Sequence, residues 1–137
     1  MAASVFTLSI LSPEKSFYSG EASEVIFTTP EGRLGVMAGH SPLVASVSNG
    51  IMEILIGDEW KIAAVGSGFC EIAYYNADFY VDTAEWADEI DAIRAKESLE
   101  RAELRIRSHL SNKEYMRTQA AISRALTRLK AVDVTVK

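Results

Sequence analysis

The fold of this chain is first indicated by residues 32–43, which read Gly32-Arg33-Leu34-Gly35-Val36-Met37-Ala38-Gly39-His40-Ser41-Pro42-Leu43. Three glycines, a histidine and a proline lie at fixed spacing between two runs of β-forming residues. Glycine reaches backbone conformations with positive φ, whereas proline fixes its own φ and restrains the residue before it. The composition therefore predicts a rigid, shaped loop on a β-sheet and not a flexible linker.

On both sides of this loop, apolar and polar residues alternate. Phe6, Leu8 and Ile10 alternate with Thr7 and Ser9, and a period of two is typical of a strand with one buried face. Other short runs, rich in β-branched and aromatic residues, occupy residues 25–29, 51–56, 61–65, 69–73 and 79–81. Many short strands separated by turn residues predict an antiparallel sandwich or barrel.

Two dipeptides in this half are typical of tight turns. Asn49-Gly50 and Gly57-Asp58 each combine glycine with a turn-forming residue, and such pairs favour two-residue hairpins. Trp60 follows the second pair within a predicted strand. Its large apolar side chain is expected in the core.

From about Asp82 the apolar residues follow a helical period. The stripe of the first predicted helix consists of Ala92, Ala95, Leu99, Ala102, Ile106 and Leu110. Ser111 and Glu114 have the spacing of a capping box, which predicts that a second helix begins at about Asn112. The stripe of that helix consists of Tyr115, Ile122, Ala125, Leu129 and Val132. A short connection predicts an antiparallel hairpin, and the small residues in the stripes allow the helices to approach closely.

Such a hairpin is marginal on its own, because tertiary packing supplies most of the stability of short helices. It must pack on the sandwich or on another protein, which makes it a candidate switch.

Charge also distinguishes the two halves of the chain. Residues 1–83 carry 3 basic and 10 acidic side chains, whereas residues 84–137 carry 11 basic and 9 acidic side chains. This asymmetry indicates different partners, or contact between the halves. A solvated helical face is the simpler alternative.

Several classes of function are not expected. No apolar run approaches the roughly 20 residues that span a bilayer, and the N-terminal residues resemble neither a signal nor a transit peptide. The basic half mixes both signs of charge and lacks stacking aromatics, so nucleic acid is not an expected partner. The single Cys70 allows no internal disulfide.

No catalytic residue or metal site is predicted. Two histidines and one cysteine lack ligand spacing, and a Cys70–His40 hydrolase would also need an orienting third group. His40 is instead expected to brace the loop through its ring nitrogens, and His109 to lie at the surface or near a helix C-terminus. No Walker A motif occurs, so the sequence predicts no P-loop site that would hydrolyse a nucleoside triphosphate.

Arginines recur at helical spacing. Asp91, Arg94, Arg101 and Arg105 are three, seven and four residues apart, and Arg124 and Arg128 form an i, i+4 pair. Like charges at that spacing destabilise a helix, so an anionic neighbour is expected. Glu97, Glu100 and Glu103 are one candidate source of that charge. The other is a triphosphate bound by the guanidinium groups.

These motifs together resemble the ε subunit of bacterial and chloroplast F-type ATP synthase. Residues 32–43 are similar to its loop G-x-L-G-x-x-x-G-H-x-P-L, and residues 66–69 are similar to its S-G-G-F turn. Residues 90–95 and 124–129 resemble the I/L-D-x-x-R-A and R-A-x-x-R-L segments of members that bind ATP. The resemblance extends over the whole chain.

The resemblance implies an antiparallel sandwich of about ten strands over residues 1–84, followed by an antiparallel two-helix hairpin over residues 85–137 (α+β by content). It implies a non-catalytic rotor subunit that couples the γ subunit to the c-ring and inhibits ATP hydrolysis when its helices meet the α and β subunits. The implied location is peripheral, on the cytoplasmic face of a bacterial plasma membrane, with the chloroplast thylakoid as second choice.

The same resemblance assigns two sets of residues. The contact with the c-ring would be made by Arg33, Leu34, Gly39, His40 and Ser41. A regulatory ATP would be bound by Glu85, Ile90, Asp91, Arg94, Ala95, Arg101, Arg124 and Arg128. The alternatives are an inhibitor subunit that ignores ATP and a stand-alone β-sandwich adaptor with a helical partner-binding arm.

Overall fold

Short strands make up the first of two units in the computed structural model, which describes residues 4–107 and 111–136. This unit ends at Trp86, and the second begins at Ala87. The ten strands found among the described residues are β1 (Phe6–Leu11), β2 (Ser16–Ala22), β3 (Glu24–Thr29), β4 (Gly32–Met37), β5 (Leu43–Val47), β6 (Gly50–Ile56), β7 (Glu59–Val65), β8 (Gly68–Ile72), β9 (Asn76–Val81) and β10 (Ala84–Trp86).

These strands form two sheets that enclose one core. The first sheet has the order β2-β1-β9-β8-β5 and the second β10-β7-β6-β3-β4. All neighbours are antiparallel except β1 and β9, which are parallel. The Phe27 and Phe79 rings, one from each sheet, meet edge to face with centroids 4.9 Å apart. The predicted sandwich is therefore confirmed.

The segment 32–43 is only partly the loop that its glycines and proline predict. Gly32–Met37 forms β4, and residues 38–42 alone connect it to β5. β4 lies at the edge of the second sheet and buries only Val36. An edge strand with one buried side chain needs no long apolar pattern, which explains why the prediction of a continuous loop is wrong.

The two predicted turn pairs have different outcomes. Gly57 and Asp58 connect β6 to β7 as a two-residue hairpin, in which Gly57 has a φ of 64°. Asn49 instead precedes Gly50 at a crossing from β5 in the first sheet to β6 in the second. The expectation of a hairpin at Asn49-Gly50 is therefore wrong, because the strands on either side belong to different sheets.

Two further crossings between the sheets lie side by side. The chain passes from β7 to β8 through residues 66–67, and from β9 to β10 through residues 82–83. Gly66 donates its N–H to the Thr83 carbonyl at 2.8 Å, and Asp82 donates to the Ser67 carbonyl at 3.0 Å. A Cβ at Gly68 would overlap the backbone carbonyl of Tyr80. Glycine is thus required where the two crossings approach each other.

The sandwich edge formed by β2 and β10 is closed by aromatic side chains. Trp86 on β10 packs against Phe17 on β2, with ring centroids 4.4 Å apart, and the Lys61 ammonium lies 5.5 Å from the Trp86 ring. Trp60, expected in the core, is 46% exposed. β7 buries Ala63 and Val65, so the alternation of the strand places Trp60 on the opposite face.

The second unit contains two helices. After a single 3₁₀ turn at Ala87–Glu89, α1 spans Ala92–Ile106 and α2 spans Asn112–Val136, and the two helices contact each other. The Ser111 hydroxyl accepts the Glu114 N–H at 3.3 Å, which confirms that α2 begins at Asn112. Leu110 of the predicted stripe and His109 lie outside the described residues.

The fully buried residues along the two helices have small side chains. Ala95 and Ala102 on α1, and Thr118 and Ala125 on α2, are buried and lie seven residues apart within each helix. Small residues at this repeat allow two helix backbones to approach closely, as the sequence predicts. The Thr118 hydroxyl donates to the Glu114 carbonyl at 2.9 Å, so this buried polar group is satisfied within its own helix.

Candidate functional site

The loop between β4 and β5 is held in place by hydrogen bonds within the first unit. Gly39 has a φ of 87° and donates its N–H to the Tyr74 carbonyl at 2.6 Å. Nδ1 of His40 lies 2.7 Å from the Ser41 carbonyl, and because a carbonyl only accepts, Nδ1 carries the proton. His40 therefore braces the loop, as predicted, and Ser41 remains exposed at its tip.

Arg33 and Leu34 do not lie in this loop. Both belong to β4, and Arg33 pairs in register with Thr28 of β3. The Arg33 guanidinium donates to the Thr28 hydroxyl at 2.8 Å and to the Ile51 carbonyl, and it lies 3.5 Å from a Glu53 carboxylate oxygen. The charge of Arg33 is thus largely engaged within the second sheet. Of the five residues assigned to the c-ring contact, only Gly39, His40 and Ser41 share the loop.

The motif at residues 90–95 forms the start of α1. Asp91 is the N-cap, and its carboxylate accepts the Arg94 N–H at 3.1 Å. Ile90 and Ala95 are buried, whereas the Arg94 side chain is exposed. Three of the four assigned residues in this motif therefore have a local structural role. A capping aspartate satisfies a helix N–H that would otherwise lack a partner.

Three of the assigned arginines present unpaired charges. Arg94, Arg101 and Arg124 are exposed, and each directly precedes a buried alanine of the helix contact. Within residues 4–107 and 111–133, no carboxylate lies within ion-pair distance of these three guanidinium groups. Glu97, Glu100 and Glu103 therefore form no ion pair with these three arginines in the described part of the chain, and the alternative that they offset the charge of the Arg124–Arg128 pair stays a prediction.

The remaining assigned residues differ in their surroundings. Arg128 lies on α2 and is half-buried. Glu85 lies on β10 of the first unit, half-buried and in register with Ala64 of β7. The second unit thus carries seven of the eight residues assigned to ATP, and the first unit carries Glu85.

Cys70 is not placed to act as a nucleophile. Cys70 is fully buried on β8, and burial raises the pKa of its thiol to about 11. The thiol is consequently neutral near pH 7 and is a poor nucleophile. In the part of the chain that is described, no three His, Cys, Asp or Glu side chains are grouped to hold a metal ion. None of the described helices is long and apolar enough to cross a bilayer.

Sequence reasoning missed an exposed apolar surface on the first sheet. Val44 on β5 is 72% exposed, and Phe69 on β8 stacks on Tyr80 of β9 with ring centroids 4.9 Å apart, both rings partly exposed. Tyr74 and Tyr75 follow at the β8–β9 turn. The available signal was β5 itself, because Leu43-Val44-Ala45-Ser46-Val47 contains no charge, glycine or proline.

Two family models match consecutive parts of the chain. The beta-sandwich domain of the ATP synthase Delta/Epsilon chain matches residues 5–87, and the long alpha-helix domain of the same chain matches residues 88–133. Together they cover both units.

Curated relatives match over nearly their full length. The chain is 43% identical to the ATP synthase epsilon chain of Ruminiclostridium cellulolyticum, over 93% of this chain and 96% of the relative. It is 38% identical to that of Caldanaerobacter subterraneus, over 91% of each. It is also 33% identical to the chloroplastic epsilon chain of Jasminum nudiflorum, over 94% and 97%.

Solved structures share the fold at low sequence identity. A chain of the Euglena gracilis mitochondrial ATP synthase, from a structure of OSCP, F1 and c-ring, superposes with a TM-score of 0.80 at 18% identity, covering 100% of this chain and 84% of that one. A chain of the central stalk and c-ring of the Tetrahymena thermophila mitochondrial ATP synthase gives a TM-score of 0.69 at 14% identity, over 96% and 99%.

Proposed function

The chain belongs to the ATP synthase Delta/Epsilon chain family, and we propose that it is a regulatory ε subunit of the central stalk in an F-type ATP synthase. The observation that carries this proposal is the match of both family domains, in order, to residues 5–87 and 88–133. Both models describe domains of a subunit of an enzyme complex, and in this proposal the chain is a non-catalytic subunit of that complex.

The sandwich couples the γ subunit to the c-ring in this proposal. The superposed Euglena and Tetrahymena chains come from assemblies that contain a c-ring. The braced loop of Gly39, His40 and Ser41 supports the c-ring contact, since its conformation is held by hydrogen bonds to Tyr74, Met37 and Ser41 carbonyls. A pre-ordered loop binds at a lower entropic cost than a flexible one. The complex would hold the subunit peripherally on the cytoplasmic face of a bacterial membrane.

The helical hairpin is the regulatory element, and it inhibits ATP hydrolysis when it meets the α and β subunits. Its folded form would be stabilised by ATP. Arg94, Arg101 and Arg124 support this, because they are exposed, unpaired with the described carboxylates, and adjacent to the contact between the helices. Guanidinium groups bind phosphate oxygens in a bidentate geometry. A ligand at one hundred times its Kd would stabilise the folded hairpin by about 2.7 kcal/mol.

The ATP proposal is tested by calorimetric titration of ATP into the isolated full-length chain. We expect saturable one-to-one binding that weakens at least about tenfold in the double variant Arg101→Ala, Arg124→Ala. Lys96→Ala is the control, because Lys96 is exposed and lies two residues from Arg94, on the other side of α1. Equal losses in both variants would contradict a specific phosphate contact. No binding by the wild-type chain would favour the inhibitor that ignores ATP.

The subunit assignment itself is tested by mixing the chain with the γ subunit of the same organism. A one-to-one complex that survives gel filtration is expected. Failure to form it would favour the stand-alone adaptor with a helical arm.

A further inference from the structure

The edge of the sandwich formed by β4 and β5 is open, in contrast to the edge formed by β2 and β10. β5 ends the first sheet and pairs only with β8 among the described strands. β4 likewise ends the second sheet. The outer backbone N–H and C=O groups of an unpaired edge strand can hydrogen-bond to another chain.

β5 lacks the features by which proteins usually protect such an edge. Charged residues, proline and bulges discourage further pairing. β4 carries Arg33 and two glycines, whereas the five residues of β5 are uncharged and contain neither glycine nor proline. Val44 is 72% exposed and Leu43 is 37% exposed. Of the two open strands, β5 is therefore the one suited to accept a partner.

The surroundings of β5 can accommodate side chains on both faces of an added strand. Between β5 and the β3–β4 hairpin lies a cleft of about 560 Å³, lined in part by Pro30, Leu34, Leu43 and Ala45. On the outer face, a depression of about 410 Å³ is lined in part by Pro42, Val44, Glu71 and Asp78. Strand addition gains affinity from main-chain hydrogen bonds and specificity from such alternating pockets.

The charge of the outer depression indicates the chemistry of the partner. Val44 pairs in register with Glu71 on β8, and Glu71 pairs with Asp78 on β9. Two carboxylates directly opposite each other disfavour a sheet, and no Lys or Arg of the described chain forms an ion pair with either. A strand added to β5 would continue this row about 4.8 Å beyond Val44, from which a long basic side chain reaches Glu71.

From these features we infer that β5 accepts an extended segment of a partner polypeptide as a sixth strand of the first sheet. The segment presents apolar side chains to the cleft and a lysine or arginine to Glu71, the nearer carboxylate of the acidic row. That the segment belongs to the γ subunit rests on the proposed function. The strand addition itself rests on the open edge, the two depressions and the acidic row.

Residue-resolved amide exchange of the full-length chain, alone and in complex with γ, tests the inference directly. Every second N–H of β5 points away from β8, and an added strand would bond these outer N–H groups, so alternate amides among residues 43–47 should exchange at least about tenfold more slowly in the complex. A complex in which these amides keep their free rates would overturn the inference while leaving the proposed function intact. Absence of any complex would overturn both. If exchange of the β5 amides in the isolated chain slows as its concentration rises, the edge binds a second copy of this chain, and the inference is overturned.

Charge variants at Val44 test the chemistry of the segment. Val44→Lys should weaken γ binding about tenfold by repelling a basic side chain, whereas Val44→Glu should leave binding unchanged or strengthen it. Val5→Lys is the matched control, because Val5 is 42% exposed and precedes β1, three strands from β5. Its affinity should stay within about twofold of wild type. Equal losses in Val44→Lys and Val44→Glu would contradict a basic partner.

Discussion

The sandwich and the helical hairpin differ in the size of the side chains that each of them buries. The sandwich fully buries Phe27, Phe79, Leu8 and Ile10, together with other large residues of both sheets. The buried residues on α1 are two alanines, and those described on α2 are Thr118, Ala125 and Ala131. Large apolar side chains on the helices remain accessible, with Ile93 and Met116 more than 70% exposed.

This difference means that the two units resist perturbation unequally. Full burial of a large apolar side chain contributes about 1.5–3 kcal/mol, and a single methyl group contributes only about 0.8 kcal/mol. The hairpin therefore gains little from each contact and depends on close approach of its backbones. Such elements open at a lower free energy than the core of a sheet, which would suit the regulatory role proposed for the hairpin.

The largest loss of stability is expected from Gly68→Ala in the sandwich. The added Cβ would overlap the Tyr80 carbonyl, and backbone cannot move aside as a flexible side chain can. We expect a loss of more than about 4 kcal/mol in the free energy of unfolding, measured by urea denaturation. Gly35→Ala is the control, because its Cβ would lie 3.6 Å from the nearest atom, Glu24 Oε2. Comparable losses in both variants would show that steric overlap at Gly68 is not the cause.

Enlarging the helix contact is expected to act on the hairpin alone. Ala102→Leu adds a branched side chain where the two helices meet, at a cost of about 1–3 kcal/mol. Amide exchange in α1 and α2 should accelerate, while the urea midpoint of the sandwich stays the same. Ala120→Leu, at an exposed position of α2, should leave exchange unchanged. A variant in which strand amides accelerate as much as helical ones would contradict the separation of the two units.

Removal of the α1 cap tests the local role of Asp91. Asp91→Ala leaves the Arg94 N–H without its acceptor and should destabilise α1 by about 1 kcal/mol, seen as reduced helical circular dichroism at elevated temperature. Asp91→Asn retains a capping oxygen and should behave like the wild-type chain. If both variants lose helicity equally, the negative charge and not the cap is what α1 requires.

The smallest expected effect is a loss of free energy of unfolding at alkaline pH, caused by ionisation of Cys70 in the sandwich. Its pKa is raised from 9.0 to about 11 by burial, so the folded state holds this proton more tightly than the unfolded state. The stabilisation is complete below pH 9 and is lost as the pH rises toward 11. At pH 9.5 the loss should be less than about 1 kcal/mol. Wild type and Cys70→Ala should therefore differ in the slope of stability against pH only above pH 9; identical slopes would contradict the raised pKa.

Sequence could predict the strands in which apolar residues form a strong pattern. β1 and β3 each bury alternate large residues, and β6 is an almost continuous apolar run that buries Ile51, Met52 and Ile54; these patterns are visible in the chain. β2, β4 and β10 escaped prediction, because they lie at sheet edges, bury few side chains, and in the case of β10 contain three residues. β5 escaped for the same reason, since its exposed side chains carry no clear period.

The candidate sites were predictable to different degrees. The sequence placed Asp91 and Arg94 at helical spacing but predicted no helix start there, and it is the structure that shows the Asp91 carboxylate capping α1. The charge of Arg33 was visible, whereas its bonds to Thr28 and Ile51 depend on the pairing of β3 with β4 on one side and with β6 on the other. Pairing between strands distant in sequence is a tertiary property, which local patterns do not encode.

The adjacent crossings at residues 66–67 and 82–83 have a mechanical consequence. Both carry the chain from one sheet to the other at the same corner, and hydrogen bonds between Gly66 and Thr83 and between Ser67 and Asp82 tie them together. A torsional load applied to the first sheet would therefore reach the second sheet through two adjacent segments of backbone, in addition to the side chains of the core. This corner adds a covalent, hydrogen-bonded route for shear between the layers, and it would limit the elastic twist of the sandwich under load.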